Sequence, residues 1–269
     1  MREVATRWQV EETLQFGQQL SDMPSKRPSL CISAFPLRFL SWALAAFPGI
    51  GVNPVMALQS QVEALRVDHI IVGIADLDRG VAELRQATGV TAQPGGMHPG
   101  RGTKNALISL GPGTYLELVA PSGEPDSSGM AAYLASLPHL SPGGWALAAP
   151  DLGATIHRLE SAGFSITGPI PGSRRQPDGG VLHWTTAHLV GDQTGLAPFL
   201  IQWEPGSPHP SATSPAGCQL TSVRLAAAAP ERLRQLLALM GAPATVDSAP
   251  TSSMEFTLAC PAGRVLLGQ

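Results

Sequence analysis

The most constraining feature is a pair of apolar segments, about forty residues apart, that each enclose ionisable side chains. The first reads Val67-Asp68-His69-Ile70-Ile71-Val72-Gly73-Ile74 and the second Tyr115-Leu116-Glu117-Leu118-Val119. Side chains alternate faces along a strand, so His69 shares a side with Val67 and Ile71, and Glu117 with Tyr115 and Val119. Alone, a histidine in an apolar strand is most often a core residue satisfied by one hydrogen bond. An ionised carboxylate, however, is rarely left between apolar neighbours unless it is paired or bound to a metal. Together the two residues point to a shared polar site.

Between these segments the chain reads as a helix and a glycine-rich stretch. Asp76 is a suitable N-cap, Val81, Leu84 and Arg85 begin a helical face, and Gly89 ends it. Gly95-Gly96 and Gly100-x-Gly102 predict a flexible loop. Strands are expected over Asn105–Leu110 and Tyr115–Val119, joined by the turn Gly111-Pro112-Gly113. The same order recurs. Trp145–Ala149 reads as a strand, Asp151-Leu152 repeats the Asp76-Leu77 junction, and Ile156, Leu159 and Gly163 repeat the helix and its stop. Val181–Leu189 and Pro198–Trp203 complete that second pass. A third and shorter one runs Leu220–Ala227, Glu231–Met240, Met254–Ala259 and Arg264–Leu267.

Three fragments carry a family resemblance: Asp68-His69-Ile70, then His98-Pro99-Gly100-Arg101-Gly102-Thr103-x-Asn105-Ala106-Leu107, then Gly113-Thr114-Tyr115-Leu116-Glu117-Leu118-Val119-Ala120-Pro121. The chain resembles the vicinal oxygen chelate superfamily, and within it the glyoxalase-like branch. The resemblance implies an α+β fold of repeated βαβββ modules whose mixed sheets curl into a cup, with helices outside. The expected layout is an N-terminal extension over 1–60 and a glyoxalase-like domain over 65–210, made of modules 67–121 and 143–205. A third module over 218–269 must pack on the pair or on another chain.

The resemblance also implies a divalent metal (Zn, Fe, Mn, Ni or Co) held by His69 and Glu117, with further ligands from the second module. There the position matching His69 is Gly144, and the last strand offers Ile201 or Gln202 according to a one-residue register that the sequence leaves open. Relatives commonly read Thr-His-Asn-Ala-Leu where this chain has Thr103-Lys104-Asn105-Ala106-Leu107. Lys104 thus replaces a ligand with a cation that could neutralise Glu117 directly, and His98 and His183 are the substitutes in reach of the argument.

The candidate catalytic residues are therefore Glu117, as a desolvated general base, His69 and Lys104. Glycines beside cations make an anion cradle of the loop His98–Lys104 and of Ser173–Gly179. The candidate substrate-binding residues are His98, Arg101, Asn105, Tyr115, Arg174, Trp184 and Gln202, for a small and anionic ligand. No GxGxxG stretch, Walker pattern or nucleophile elbow occurs. The expected function is a small-molecule enzyme of lyase, isomerase or dioxygenase type; the alternative is a non-catalytic protein that binds or sequesters a small molecule in the same cup.

Composition narrows the rest. A net charge of −3 offers no basic face for nucleic acid. Gly and Pro number 29 and 25, which favours short strands with many turns. Cys31, Cys218 and Cys260 form no CxxC pair and read as isolated, with Cys260 a small core hydrophobe. Phe39–Phe47 is shorter than the ~20 residues of a membrane span. The first sixty residues read as an extension, with a cytoplasmic protein expected. A start at Met23 would place Lys26 and Arg27 before an apolar run and a small residue at Ala57, the pattern of an export signal. A homodimer is compatible with the superfamily.

Overall fold

The computed structural model describes residues 64–268 except positions 127 and 193. The expectations for residues 1–60, Cys31 among them, lie outside that range. Eight strands close into a barrel: β1 (Val67–Gly73), β2 (Gln93–His98), β3 (Arg101–Ser109), β4 (Tyr115–Asp126), β5 (Ser141–Ala148), β6 (Ile166–Arg175), β7 (Val181–Leu189) and β8 (Phe199–Trp203). Their order around the barrel is β1-β4-β3-β2-β6-β7-β8-β5. Each half repeats one topology: β1 is parallel to β4 and β5 is parallel to β8. The halves join where β1 runs antiparallel to β5 and where β2 meets β6 at Met97 and Arg175.

Helix α1 (Leu77–Thr88) begins where the Asp76 carboxylate accepts the Arg79 N–H and ends at Gly89, whose φ of 77° suits a residue without a side chain. Helix α3 (Leu152–Ser161) repeats the start, with Asp151 accepting from Ala154 N–H. The buried residues Leu77 and Leu84 of α1 join Ile70, Val72, Leu116 and Leu118 in the main core. The opposite face of β1 and β4 turns inward. There Ile71 and Val119 pack with Tyr133, Leu134 and Leu137 from and beside α2 (Met130–Ala135), forming a second, smaller apolar cluster.

Beyond β8 the chain crosses back. Helix α4 (Pro210–Thr213) is held against the β3–β4 turn: Gly113 N–H donates to Ser211 Oγ at 2.9 Å, and Ser109 N–H to the Pro215 carbonyl at 2.8 Å. The last pass forms β9 (Gln219–Ala227), α5 (Glu231–Met240), β10 (Thr245–Ser248), β11 (Ser253–Cys260) and β12 (Gly263–Gly268), in a second sheet of order β10-β9-β11-β12. This sheet packs on the barrel. Ala262 N–H donates to the Thr88 carbonyl, and the Arg232 guanidinium lies 3.8 Å over the Phe164 ring while donating to the Gly163 carbonyl.

Three features depart from the sequence reading. Gly95-Gly96, expected in a loop, lies within strand β2, and Ser173-Arg174-Arg175, expected in a loop, ends β6. Both strands are rich in Gly and Pro and lack apolar alternation, so periodicity gave no sign of them. Cys218 and Cys260 are not isolated but form a disulfide. They flank the register pair Gln219–Ala259 of β9 and β11, where cross-strand neighbours come close enough to bond; their Cα atoms are 4.2 Å apart.

Candidate functional site

The inward face of the barrel carries the site. On β1, a shift of register against β5 between Val67 and His69 lets Asp68 and its neighbour meet: Asp68 Oδ1 lies 2.8 Å from His69 Nδ1. Asp68 is fully buried, and its second oxygen accepts from the Trp203 indole N–H and lies opposite His209 Nε2, both at 3.1 Å. Burial alone would raise its pKa. The His209 and His69 hydrogen bonds and charges outweigh that and hold it near 2. A carboxylate only accepts, so Nδ1 of His69 carries the proton and Nε2 is directed elsewhere.

Elsewhere is Glu117. His69 Nε2 stands 3.8 Å from Glu117 Oε2, and His98 Nε2 stands 3.3 Å from Oε1. His98 is oriented by its other nitrogen, 2.9 Å from Thr103 Oγ1, and the Asn105 amide N–H also donates to Oε1 of Glu117. Burial pushes the Glu117 carboxyl up, but the bond and charge from His98, then the charges of His69 and Arg174, carry it well below the usual range. Glu117 is thus held ionised, with Oε1 engaged by His98 and Asn105. Tyr115 stacks on the His69 ring with centroids 4.7 Å apart. Its burial, then the charges of Glu117 and Asp68, raise the phenol pKa, so it stays neutral. Phe199 meets His69 edge-on at 5.4 Å and stacks on His188 at 5.2 Å.

Of the other sequence candidates, His98, Asn105 and Tyr115 join this cluster. Arg174 is buried on β6 and reaches both Glu117 and Tyr115 through its charge. Trp184 lies against Trp203, ring centroids 5.3 Å apart, one residue removed from Asp68. Arg101 is exposed at the start of β3, across from Asp126. Two candidates are corrected. Lys104 stands between Thr103 and Asn105, which both face inward, so strand alternation sends it to the outer face, away from Glu117. Gln202 is on the wrong side of β8: its amide donates to the Pro150 carbonyl at 2.9 Å and accepts from Leu152 N–H at 3.3 Å, bridging to the start of α3. Phe199 and Trp203 fix the register, with Ile201 on their face. His183, a proposed substitute ligand, is exposed.

Sequence reasoning missed Asp68, His188, Phe199 and His209. His209 lies beyond β8 in a segment with no strand pattern, yet it bonds Asp68 and meets Tyr115 edge-on at 5.6 Å. Asp68 precedes His69 and by strict alternation belonged on the other face; only the register shift in β1 brings it to the site. The signal available was its burial cost beside a histidine.

A family profile described as the glyoxalase-like domain matches residues 67–241, most of the described chain. This chain belongs to the glyoxalase-like domain family. No curated protein matches it. Among solved structures, the glyoxalase-like chain is similar to a hypothetical protein from Staphylococcus aureus, with 18% identity, a TM-score of 0.54, and coverage of 70% of this chain and 88% of that one. It is also similar to methylmalonyl-CoA epimerase of Streptomyces coelicolor, with 22% identity, a TM-score of 0.40 and coverage of 52% and 97%. For the Mycobacterium tuberculosis epimerase the values are 23%, 0.38, 52% and 87%. The likeness to the Staphylococcus aureus protein shows the fold, a curled α+β barrel.

A divalent metal, which the resemblance implies, would draw on these donors. The residues are right in kind: two imidazole Nε2 atoms and one carboxylate, with both histidines anchored at Nδ1. As they stand, both histidines face the carboxylate directly, His98 at 3.3 Å and His69 at 3.8 Å. Among the described residues no group of three or more His, Cys, Asp and Glu side chains is arranged to hold a metal ion. Glu117 is engaged by both histidines and Asn105, and Gln202 is turned outward. No step below is routed through a metal.

Proposed function

We propose that this glyoxalase-like chain is a small-molecule enzyme of isomerase or lyase type in which His69 carries the proton. The reading rests on one observation: His69 is bracketed by two ionised carboxylates, 2.8 Å from Asp68 at Nδ1 and 3.8 Å from Glu117 at Nε2. Asp68 sets the tautomer and ring plane. Nε2 is then the atom that takes a proton from a substrate carbon and returns it, and the paired carboxylates stabilise the imidazolium formed in between. Glu117 holds charge rather than moving protons. Tyr115 and Phe199 against the His69 ring, with both flanking carboxylates buried, keep bulk water from the exchange.

The test is solvent exchange. In D2O, wild-type protein should wash deuterium into the acidic carbon of a carbonyl substrate from a panel of small hydroxy- and keto-acids. His69→Gln should lose that activity by about a hundredfold or more while its Tm stays close to wild type. Exchange that survives in His69→Gln overturns the reading. Elemental analysis bears on it separately. A stoichiometric divalent metal in active protein would move the chemistry to the metal, with His69, His98 and Glu117 as its holders.

Another feature bears on the compartment we infer. No helix among the described residues is long and apolar enough to cross a membrane. The Cys218–Cys260 disulfide favours an oxidising compartment, and so supports the export alternative over the cytoplasmic one.

A further inference from the structure

The two oxygens of the buried Asp68 carboxylate have separate partners. Oδ1 faces His69 Nδ1 at 2.8 Å, whereas Oδ2 takes both the Trp203 indole N–H and His209 Nε2 at 3.1 Å. Trp203 ends β8, so its donor belongs to the barrel. His209 does not. It arrives from 141 residues further along the chain, outside the eight strands.

The far edge of the His209 ring is held as well. His209 precedes α4, where its Nδ1 accepts the Ser211 backbone N–H at 3.2 Å and lies 2.8 Å from Ser211 Oγ. A ring nitrogen that accepts from a backbone N–H carries no proton, so the Ser211 hydroxyl also donates to it. That hydroxyl in turn accepts the Gly113 N–H of the β3–β4 turn at 2.9 Å. The donors therefore all point one way: Gly113 to Ser211, Ser211 to His209, His209 to Asp68. Tyr115 and Trp203 meet the His209 ring edge-on, with centroids 5.6 and 5.4 Å away, and oppose its turning.

Two histidines thus clasp one carboxylate in opposite tautomers, His69 with its proton on Nδ1 and His209 with its proton on Nε2. The other tautomer of His209 would set a lone pair against Asp68 and an N–H against the Ser211 N–H, both repulsive. Capping a four-residue helix asks only for the Ser211 bond, and leaves the reach of Nε2 to a buried carboxylate unexplained.

We infer that His209 is a positioning residue, whose Nε2–H holds Asp68 Oδ2 so that Oδ1 stays on His69 Nδ1. A carboxylate turns about its Cβ–Cγ bond. Two donors on Oδ2 and one on Oδ1 resist that turn; with His209 gone, Trp203 is the one left of the pair on Oδ2, and Oδ1 swings off His69. His209 acts on the reaction through Asp68, and its role rests on the reading of His69 as the proton carrier.

The test is 15N NMR of the imidazole nitrogens of the full chain in mildly alkaline buffer, beside the D2O exchange assay. His69→Gln and His209→Phe identify the two rings by loss of their signals. In wild type, His69 is expected as Nδ1–H and His209 as Nε2–H. His209→Phe keeps a ring but removes the donor. His69 should then become a mixture of tautomers, and kcat for exchange should fall by about ten- to hundredfold with KM changed less than about threefold. His209→Gln, whose side-chain amide N–H can take the place of Nε2–H, should restore the His69 tautomer and most of the exchange. A merely structural role would lower Tm in both variants and leave His69 as Nδ1–H. That result, or a wild-type His209 with its proton on Nδ1, overturns the inference. The tautomers are read on the resting protein, so they decide it even where no substrate exchanges, an outcome that sinks the proton-carrier reading alone. If His209→Phe does not fold, the wild-type His209 tautomer decides.

Discussion

Asp68 does for His69 what no residue on the other side of the ring does: it fixes which nitrogen carries the proton. Asp68→Asn keeps the shape but offers an amide that can donate as well as accept. The expected result is loss of proton exchange by about a hundredfold or more, with binding of small acids retained, measured by the D2O assay beside NMR titration. The same carboxylate couples stability to acid. Its pKa is held near 2 in the fold against 3.8 ordinarily, so the unfolded chain binds its proton first as pH falls. The associated stability, about 2 kcal/mol, is present above pH ~4 and is lost as pH drops through 2. Chemical denaturation from pH 5 to 2 should show a midpoint that falls more steeply in wild type than in Asp68→Asn. At this scale the sequence showed the pair His69 and Glu117, because a strand's alternation predicts which face each takes. It hid Asp68, because a single register shift reverses that parity and no residue type announces one.

At the scale of elements, the strands with apolar alternation were legible and the Gly/Pro-rich ones were not. β2 and β6 form the seam between the barrel halves, and they meet at Met97 and Arg175. Gly96 makes that approach: a Cβ would collide with the Arg175 carbonyl, and its φ of 135° is one few other residues adopt. Gly96→Ala should therefore open the seam and cost about 1–3 kcal/mol, read from urea unfolding. The loop reading of these glycines was reasonable chemistry in the wrong setting: the residues are there to let two strands touch, not to let a loop move.

Over the whole molecule, the repeated βαβββ order was readable from the Asp76-Leu77 and Asp151-Leu152 junctions, and the third pass from its helix Glu231–Met240. Where that pass sits was not readable, since its docking rests on backbone bonds such as Ala262 to Thr88 and on Arg232 over Phe164. The disulfide was hidden likewise, its cysteines 42 residues apart with no spacing motif between them. Closing a loop of that length removes roughly 4 kcal/mol of unfolded-state freedom on the chain-entropy account. Reduction, or Cys218→Ser with Cys260→Ser, should lower stability by about 2–4 kcal/mol, checked by urea titration with and without a reductant. The glyoxalase-like barrel should keep its fold in that experiment, because neither cysteine lies on any of its eight paired strands.

The stretch that carries His209 across to Asp68 leaves β8, is tied to the β3–β4 turn through Ser211 and Pro215, and enters the second sheet at Cys218. Its hold on the reaction chamber is therefore shared between the barrel's own turn and the sheet beyond it. A chain trimmed at Trp203 would retain all eight staves yet lose the stopper, leaving Asp68 with one partner fewer and an opening where His209 had been. The appended sheet is in this sense one of the two posts on which the door hangs.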